Sequence, residues 1–239
     1  LALECSHYLS DLSSYLKTYF MKRFILNVFG ILLFASVAGA QTVGGAKDFT
    51  PLPKPQQGGA VATFGGGCFW SMSEAMIELK GVNKVISVYA GGTTKNPTYD
   101  QVATLTTGHA ECSQIYYDPK VISFATIARA FFFAHDPTEL NRQGPDVGTD
   151  YRSIAFYRTP EEKSIILGLI KEINKSKHYP KAIVTQVVPL TAIYPAENYH
   201  QGYYRLNPGS TYIMQVSKPK VMKFRKVMNA QLKPEFQKL

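Results

Sequence analysis

The chain has 239 residues, 45% of them hydrophobic and 18% charged, a mix that excludes disordered and fibrous classes and suits one domain or two. Its three cysteines include no Cys-x-x-Cys pair, which excludes a disulfide scaffold, a zinc ribbon and a thioredoxin-type redox pair. A formal net charge of +9 permits acidic partners without specifying one.

The first elements concern targeting. Met21-Lys22-Arg23 is a short positive segment, Phe24 to Val37 is almost wholly apolar, and Ala38-Gly39-Ala40 precedes Gln41. This order predicts a secretory signal peptide over 21–40. The apolar run falls short of the ~20 residues of a membrane span, and a retained anchor is the alternative reading. Residues 1–20 precede Met21 and are expected to be upstream over-translation. Residues 41–59 are rich in Gly, Pro and Gln and read as a linker with little to bury. Order is expected to begin near Ala60, with a tail over 231–239.

Ala60 to Phe64 reads as a short buried strand broken by Gly65-Gly66-Gly67. Helical spacing follows over Phe69 to Lys80, then a strand over Lys84 to Ala90 and a polar loop over 93–108. Ala110 to Tyr117 alternates as a strand, and Ser123 can cap a helix running to about Ala134. His135 to Asp150 reads as a long loop of the kind that is often functional. Tyr151 to Tyr157 is the next strand. Thr159-Pro160-Glu161-Glu162 is a capping box ahead of a helix with Ile165, Ile166, Leu169, Ile170 and Ile173 on one face. Ile183 to Pro189 reads as a strand and Pro195 to Tyr204 as a short aromatic helix or loop. The basic tail from Val216 reads as a solvated helix face. Mixed hairpin and crossover connections predict an α/β fold, a two-layer sandwich of a mixed sheet with packed helices and a ferredoxin-like core.

Two stretches carry chemistry. In Gly65-Gly66-Gly67-Cys68-Phe69-Trp70 a strand ends in glycines and a helix starts at a cysteine. A sulfur at a helix N-terminus meets free N–H groups and the positive end of the dipole, which favour the reactive thiolate. The alternative is an inert cysteine packed beside Phe69 and Trp70. In Gly108-His109-Ala110-Glu111-Cys112 a carboxyl enters an apolar strand. Desolvation would raise its pKa and make it a proton donor; an ion-paired or solvent-facing residue is the alternative. Cys112 points to the opposite face of the strand from Glu111. The histidines have no metal-binding spacing, and no metal site is expected.

Gly67-Cys68-Phe69-Trp70, Asn96-Pro97-Thr98-Tyr99, Gly108-His109-Ala110-Glu111, the run Arg142 to Ser153 and Tyr199-His200-Gln201 together resemble the peptide methionine sulfoxide reductase A family over about residues 60–230. The resemblance implies that Cys68 is the nucleophile, attacking the sulfoxide sulfur of the S epimer and becoming a sulfenic acid. It implies Glu111 as the acid that protonates the oxygen, with Tyr99 and Tyr151 donating hydrogen bonds to it. Phe69 and Trp70 would hold the S-methyl group, and Asp146 would support the site. No cofactor is implied; electrons come from an external thiol such as a thioredoxin-like protein. A monomer acting on free or protein-bound methionine sulfoxide is implied, with no nucleic acid partner and no stable membrane insertion once the signal is cleaved. An exported repair enzyme, periplasmic or secreted, is the resulting expectation.

The sequence departs from the family at one point. Many members carry a C-terminal cysteine that resolves the sulfenic acid, and the matching position here is Ile213. Regeneration by an external thiol is therefore expected, with Cys112 as the alternative resolving group. Two other functions compete. A non-catalytic envelope binding module would join Cys68 and Cys112 in a disulfide. A Cys–His acyl transferase would need His109 or His200 and not Glu111.

Overall fold

The computed structural model describes residues 48–237. The signal-like run at 21–40 and the residues before it lie outside the described residues, as do Lys238 and Leu239. The elements are β1 (Ala60–Gly65), α1 (Phe69–Ile77), β2 (Val82–Ala90), α2 (Tyr99–Ala103), β3 (Ala110–Tyr117) and α3 (Phe124–Ala134). They continue as β4 (Arg142–Gln143), β5 (Asp146–Val147), β6 (Ile154–Tyr157), α4 (Pro160–Ser176), β7 (Gln186–Pro189), β8 (Ile193–Pro195), α5 (Tyr203–Leu206) and α6 (Lys218–Met228).

The main sheet has the order β7-β6-β1-β3-β2-β8. Its centre, β6-β1-β3-β2, is antiparallel throughout. Helix α1 carries the chain from β1 to β2 and α3 from β3 to β6, each crossing over the strand between, which is the split βαβ arrangement of a ferredoxin-like core. Parallel pairing of β7 with β6 makes the sheet mixed.

Helices α1, α3, α4 and α6 supply one apolar layer. Phe64 stacks on Phe131 at 4.7 Å, amid Met72, Met76, Ile115, Phe132, Ile166 and Phe224. Truncating a fully buried ring such as Phe131 or Phe224 to alanine should cost about 3–5 kcal/mol. Because β3 is central, all of its residues are buried. Its alternate side chains reach a second cluster on the other face, formed by Val88, Ala90, Ala110, Cys112, Ile154 and Phe156.

Several expectations are corrected. The polar loop over 93–108 contains α2, capped by a reciprocal pair between Thr98 and Gln101. Tyr151 sits in a 3₁₀ turn, Thr149–Tyr151, ahead of β6. The edge strand β8 was invisible because three residues carry too little alternation to read. The basic tail is not simply a solvated face: Val221, Phe224 and Met228 are buried, Arg225 pairs with Glu78 at 2.6 Å, and Lys220 approaches Asp146 at 3.6 Å. The stretch expected to be a linker is mostly exposed, yet it is anchored. Thr50 donates from N–H and hydroxyl to Asn198 Oδ1, each at 3.0 Å. Asn198 N–H donates to Asp48 O at 2.7 Å, and Leu52 packs against the second cluster. No helix among the described residues is long and apolar enough to cross a membrane.

Candidate active site

Strand β1 delivers the chain to Cys68, the N-cap of α1, through glycines that the space requires. Gly67 has φ +81°, and a Cβ there would lie 2.5 Å from Gln143 Cγ. At Gly65 a Cβ would lie 2.8 Å from Cys112 Sγ. The Gly67 N–H donates to Tyr151 O at 3.1 Å, tying the turn to the opposite wall of the site.

Cys68, Phe69, Tyr89, Val102 and Ala196 form a buried cluster, with Trp70, Tyr99, Tyr151 and Tyr212 packed against it. Six of the seven residues expected to carry the chemistry therefore share one neighbourhood or border it directly: Cys68, Phe69, Trp70, Tyr99, Tyr151 and, bonded to Phe69, Glu111. The Phe69 N–H donates to Glu111 Oε2 at 3.0 Å, so a free first-turn donor of α1 holds the carboxyl beside the sulfur. Glu111 is 2% exposed. Burial, reinforced by Asp150 and Asp146 and opposed by the Phe69 bond, pushes its pKa up to about 8.

The thiol departs from the helix-terminus expectation. Burial first, and then the Glu111 carboxyl, raise the Cys68 pKa well above its ordinary value. The nearby Trp70 N–H and Tyr212 hydroxyl pull the other way and are outweighed. The resting sulfur is a thiol because desolvation exceeds the pull of one helix end.

The remaining expected residues are placed as follows. Tyr99 and Tyr151 are half-buried and both pack against the Cys68 cluster. Asp146 stands at one remove: its Oδ2 accepts the Tyr212 hydroxyl at 2.6 Å, and Tyr212 in turn packs against the Cys68 cluster. The Trp70 indole stacks on Tyr203 at 3.8 Å and 11° and meets the edge of Tyr212. Its Nε1–H donates to His200 Nδ1 at 3.2 Å. That bond leaves the His200 proton on Nε2, which has no partner among the described residues, and burial holds the ring neutral by lowering its pKa to about 4.

Neither histidine is paired with the sulfur. His200 serves Trp70, and His109 accepts the Gly92 N–H at 3.1 Å while Nε2 faces Thr94 O at 2.8 Å. Both Cys68 and Cys112 are free and buried, in different clusters. Ile213 is buried as well, at the start of a π-helical turn, Ile213–Ser217, directly after Tyr212. Among the described residues no group of His, Cys, Asp and Glu side chains could hold a metal ion.

Sequence reasoning gave no role to Tyr212, Tyr203, Glu197 or Lys220. Each reaches the site from the far end of the chain through tertiary packing, which local spacing does not encode. The Tyr199-His200-Gln201 segment was recognised as a motif, and that was the available signal for this wall.

A family model described as "Peptide methionine sulfoxide reductase" matches residues 60–232. The chain is 49% identical over 171 residues to the peptide methionine sulfoxide reductase MsrA of Haloquadratum walsbyi, covering 72% of this chain and 97% of that protein. It is 49% identical over 165 residues to the MsrA of Leptospira borgpetersenii, covering 69% and 93%. Among solved structures it resembles reduced Mxr1 of Saccharomyces cerevisiae with a TM-score of 0.62 and 30% identity, over 66% of this chain and 91% of that one. It also resembles the methionine sulfoxide reductase A of Corynebacterium diphtheriae with a TM-score of 0.59 and 29% identity, over 70% and 92%. A glycine turn presenting a buried cysteine to a buried acid, enclosed by tyrosines, thus stands within a match that spans the whole folded domain: the chain belongs to the peptide methionine sulfoxide reductase family.

Proposed function

We propose that the chain reduces the S epimer of methionine sulfoxide, free or protein-bound, to methionine through a sulfenic acid on Cys68. Membership of the family makes it a thiol-dependent methionine sulfoxide reductase; the epimer, the intermediate and the residue roles are the finer reading. One observation carries that reading. The Phe69 N–H, next along the helix start from Cys68, holds the Glu111 carboxyl at 3.0 Å, and burial raises the Glu111 pKa to about 8.

The sulfoxide oxygen carries partial negative charge. Glu111, Tyr99 and Tyr151 offer three O–H donors to it, arranged before the reaction rather than recruited during it. The S-methyl group lies against the Phe69 and Trp70 rings. The Cys68 sulfur bonds to the sulfoxide sulfur as Glu111 delivers its proton to the oxygen, and the thiol proton passes to the Glu111 carboxylate. The hydroxyl then moves from the substrate sulfur to Cys68: the new S–S bond and the substrate S–O bond break as a Cys68 S–O bond forms, leaving Cys68 as a sulfenic acid and releasing methionine. The substrate sulfur gains two electrons and Cys68 loses two. Coupling the two proton movements explains how a thiol with a raised pKa can attack: the charge that would have stayed on sulfur is neutralised at the oxygen.

Two equivalents of an external thiol, or one dithiol, restore Cys68, forming a disulfide and water. A thioredoxin-like donor is the proposed partner, because Ile213 stands where many members have a resolving cysteine and Cys112 faces another cluster. The protein acts as a monomer with no organic cofactor. The signal-like run at 21–40 supports export to the periplasm or beyond, where the enzyme would repair oxidised proteins.

The test is turnover of each separated epimer of N-acetyl-methionine sulfoxide with dithiothreitol, for the wild type and Cys68→Ser. Reduction of the S epimer alone, abolished by the substitution, is the expected result. Turnover of the R epimer, or activity without Cys68, overturns the reading.

A further inference from the structure

Glu197 is a carboxylate with no place in the chemistry above. It is 4% exposed and spends both oxygens on the frame of the site. One accepts the Tyr99 N–H at 2.8 Å, and the other accepts the Tyr89 hydroxyl at 2.9 Å. Tyr89 lies in β2 and is fully buried, so one end of the bridge is fixed to the sheet.

The segment carrying Glu197 is fixed to the same strand. Ala196 N–H donates to Ser87 O at 2.9 Å. The Gln201 side chain closes on Ser87 from the other side, accepting its N–H at 2.9 Å and donating to its carbonyl at 3.0 Å. Glu197 is therefore presented from a rigid support.

Its target is not rigid by itself. Helix α2 has five residues, far below the length at which a helix is stable alone. It interrupts the long connection between β2 and β3. Tyr99 is its first residue, and the Tyr99 N–H has no partner within the helix. A carboxylate at that position satisfies the donor and complements the helix dipole. It also sets where the Tyr99 side chain enters the pocket beside Tyr151 and Cys68.

We propose that Glu197 is a positioning residue of the reaction, acting through Tyr99: it fixes the hydroxyl that meets the sulfoxide oxygen and does not itself touch the substrate. This rests on the reading of Tyr99 as an oxygen-binding donor.

The experiment measures kcat and KM for the S-sulfoxide at saturating dithiothreitol in Glu197→Ala, Glu197→Gln, Tyr99→Phe and the Glu197→Ala/Tyr99→Phe double variant. Loss of a single preorganised donor among several should lower kcat on the order of tenfold in Tyr99→Phe and in Glu197→Ala, with KM little changed. Glu197→Gln should recover most of the rate, since its amide oxygen still accepts the Tyr99 N–H. The double variant should be no slower than Tyr99→Phe. Wild-type kcat in Glu197→Ala overturns the proposal. So do multiplying losses in the double variant, or a glutamine variant as slow as the alanine one. An unimpaired Tyr99→Phe would instead sink the assignment of Tyr99. Should Glu197→Ala fail to fold, Tyr89→Phe unhooks the same carboxylate from the sheet while sparing every donor on Tyr99. Its loss of kcat should vanish in the Tyr99→Phe background, and multiplying losses there overturn the proposal.

Discussion

Glu111→Gln separates proton donation from hydrogen bonding, because the amide oxygen can still accept the Phe69 N–H that holds the carboxyl at 3.0 Å. What it removes is an acid that keeps its proton to about pH 8. General acids contribute roughly 10²–10⁴-fold, and single-turnover methionine formation should fall by that order. In the wild type the rate should decline as pH rises through about 8, and the variant should lack that decline. Stability supplies an independent reading, with its sign fixed by linkage. Below the ordinary carboxyl value of 4.5 both folded and unfolded chains hold the proton, and nothing is lost. Above it the unfolded chain releases the proton and the folded chain keeps it. Folding stability therefore drops as pH rises, levelling once Glu111 itself ionises, by an upper figure of roughly 5 kcal/mol. Glu111→Gln has no such loss. Relative to the wild type it should gain stability between pH 5 and pH 9, while Glu78, also raised to about 7, affects both proteins alike. Rapid-quench chemistry across pH 5–10 and thermal melts at the two extremes make the test. A variant within tenfold of the wild-type rate, or one that keeps the alkaline decline, would refute Glu111 as the acid.

Three further outcomes are expected. Cys112→Ser should leave steady-state turnover with dithiothreitol or a thioredoxin-type donor intact, because Cys112 lies in the second apolar cluster, apart from Cys68; loss of turnover with an intact first turnover would make it the resolving thiol. Arg225→Met should destabilise the fold by about 3–5 kcal/mol in urea denaturation at pH 8, because it strands the buried Glu78 carboxylate 2.6 Å from its present partner. That cost should shrink below the Glu78 pKa of about 7, and a pH-independent cost would contradict the ion-pair account. Removing residues 1–58 deletes the Thr50 and Asp48 bonds to Asn198, beside Glu197 and His200, and should raise KM for the S-sulfoxide by the few-fold that one or two net hydrogen bonds supply; unchanged kinetics would show that this anchored stretch is a spacer only.

The alternating and capped segments were legible in the sequence because their signals are local. Ser123 and Thr159 accept first-turn N–H groups as expected, and three glycines ahead of a cysteine placed that cysteine at a helix start. Glu111 was legible as a carboxyl in an apolar strand, and its neighbour Cys112 does face the other way. The aromatic wall was read only in part. Trp70 was visible, but its partners Tyr203 and His200 lie 130 or more positions away, and no periodicity links them. The state of the sulfur was not legible for a related reason: a helix start is visible in sequence, whereas burial depends on everything folded around the residue. The tail was misread because two of its bases, Lys220 and Arg225, find carboxylates contributed by distant elements.

Oxygen must pass from the substrate sulfur to Cys68. Reduced enzyme, freed of external thiol and mixed with excess S-sulfoxide under argon, should form one methionine per chain. A dimedone adduct should then appear on the Cys68 peptide by mass spectrometry, and none with the R epimer. No methionine without added thiol, or an adduct on Cys112 in place of Cys68, would contradict it.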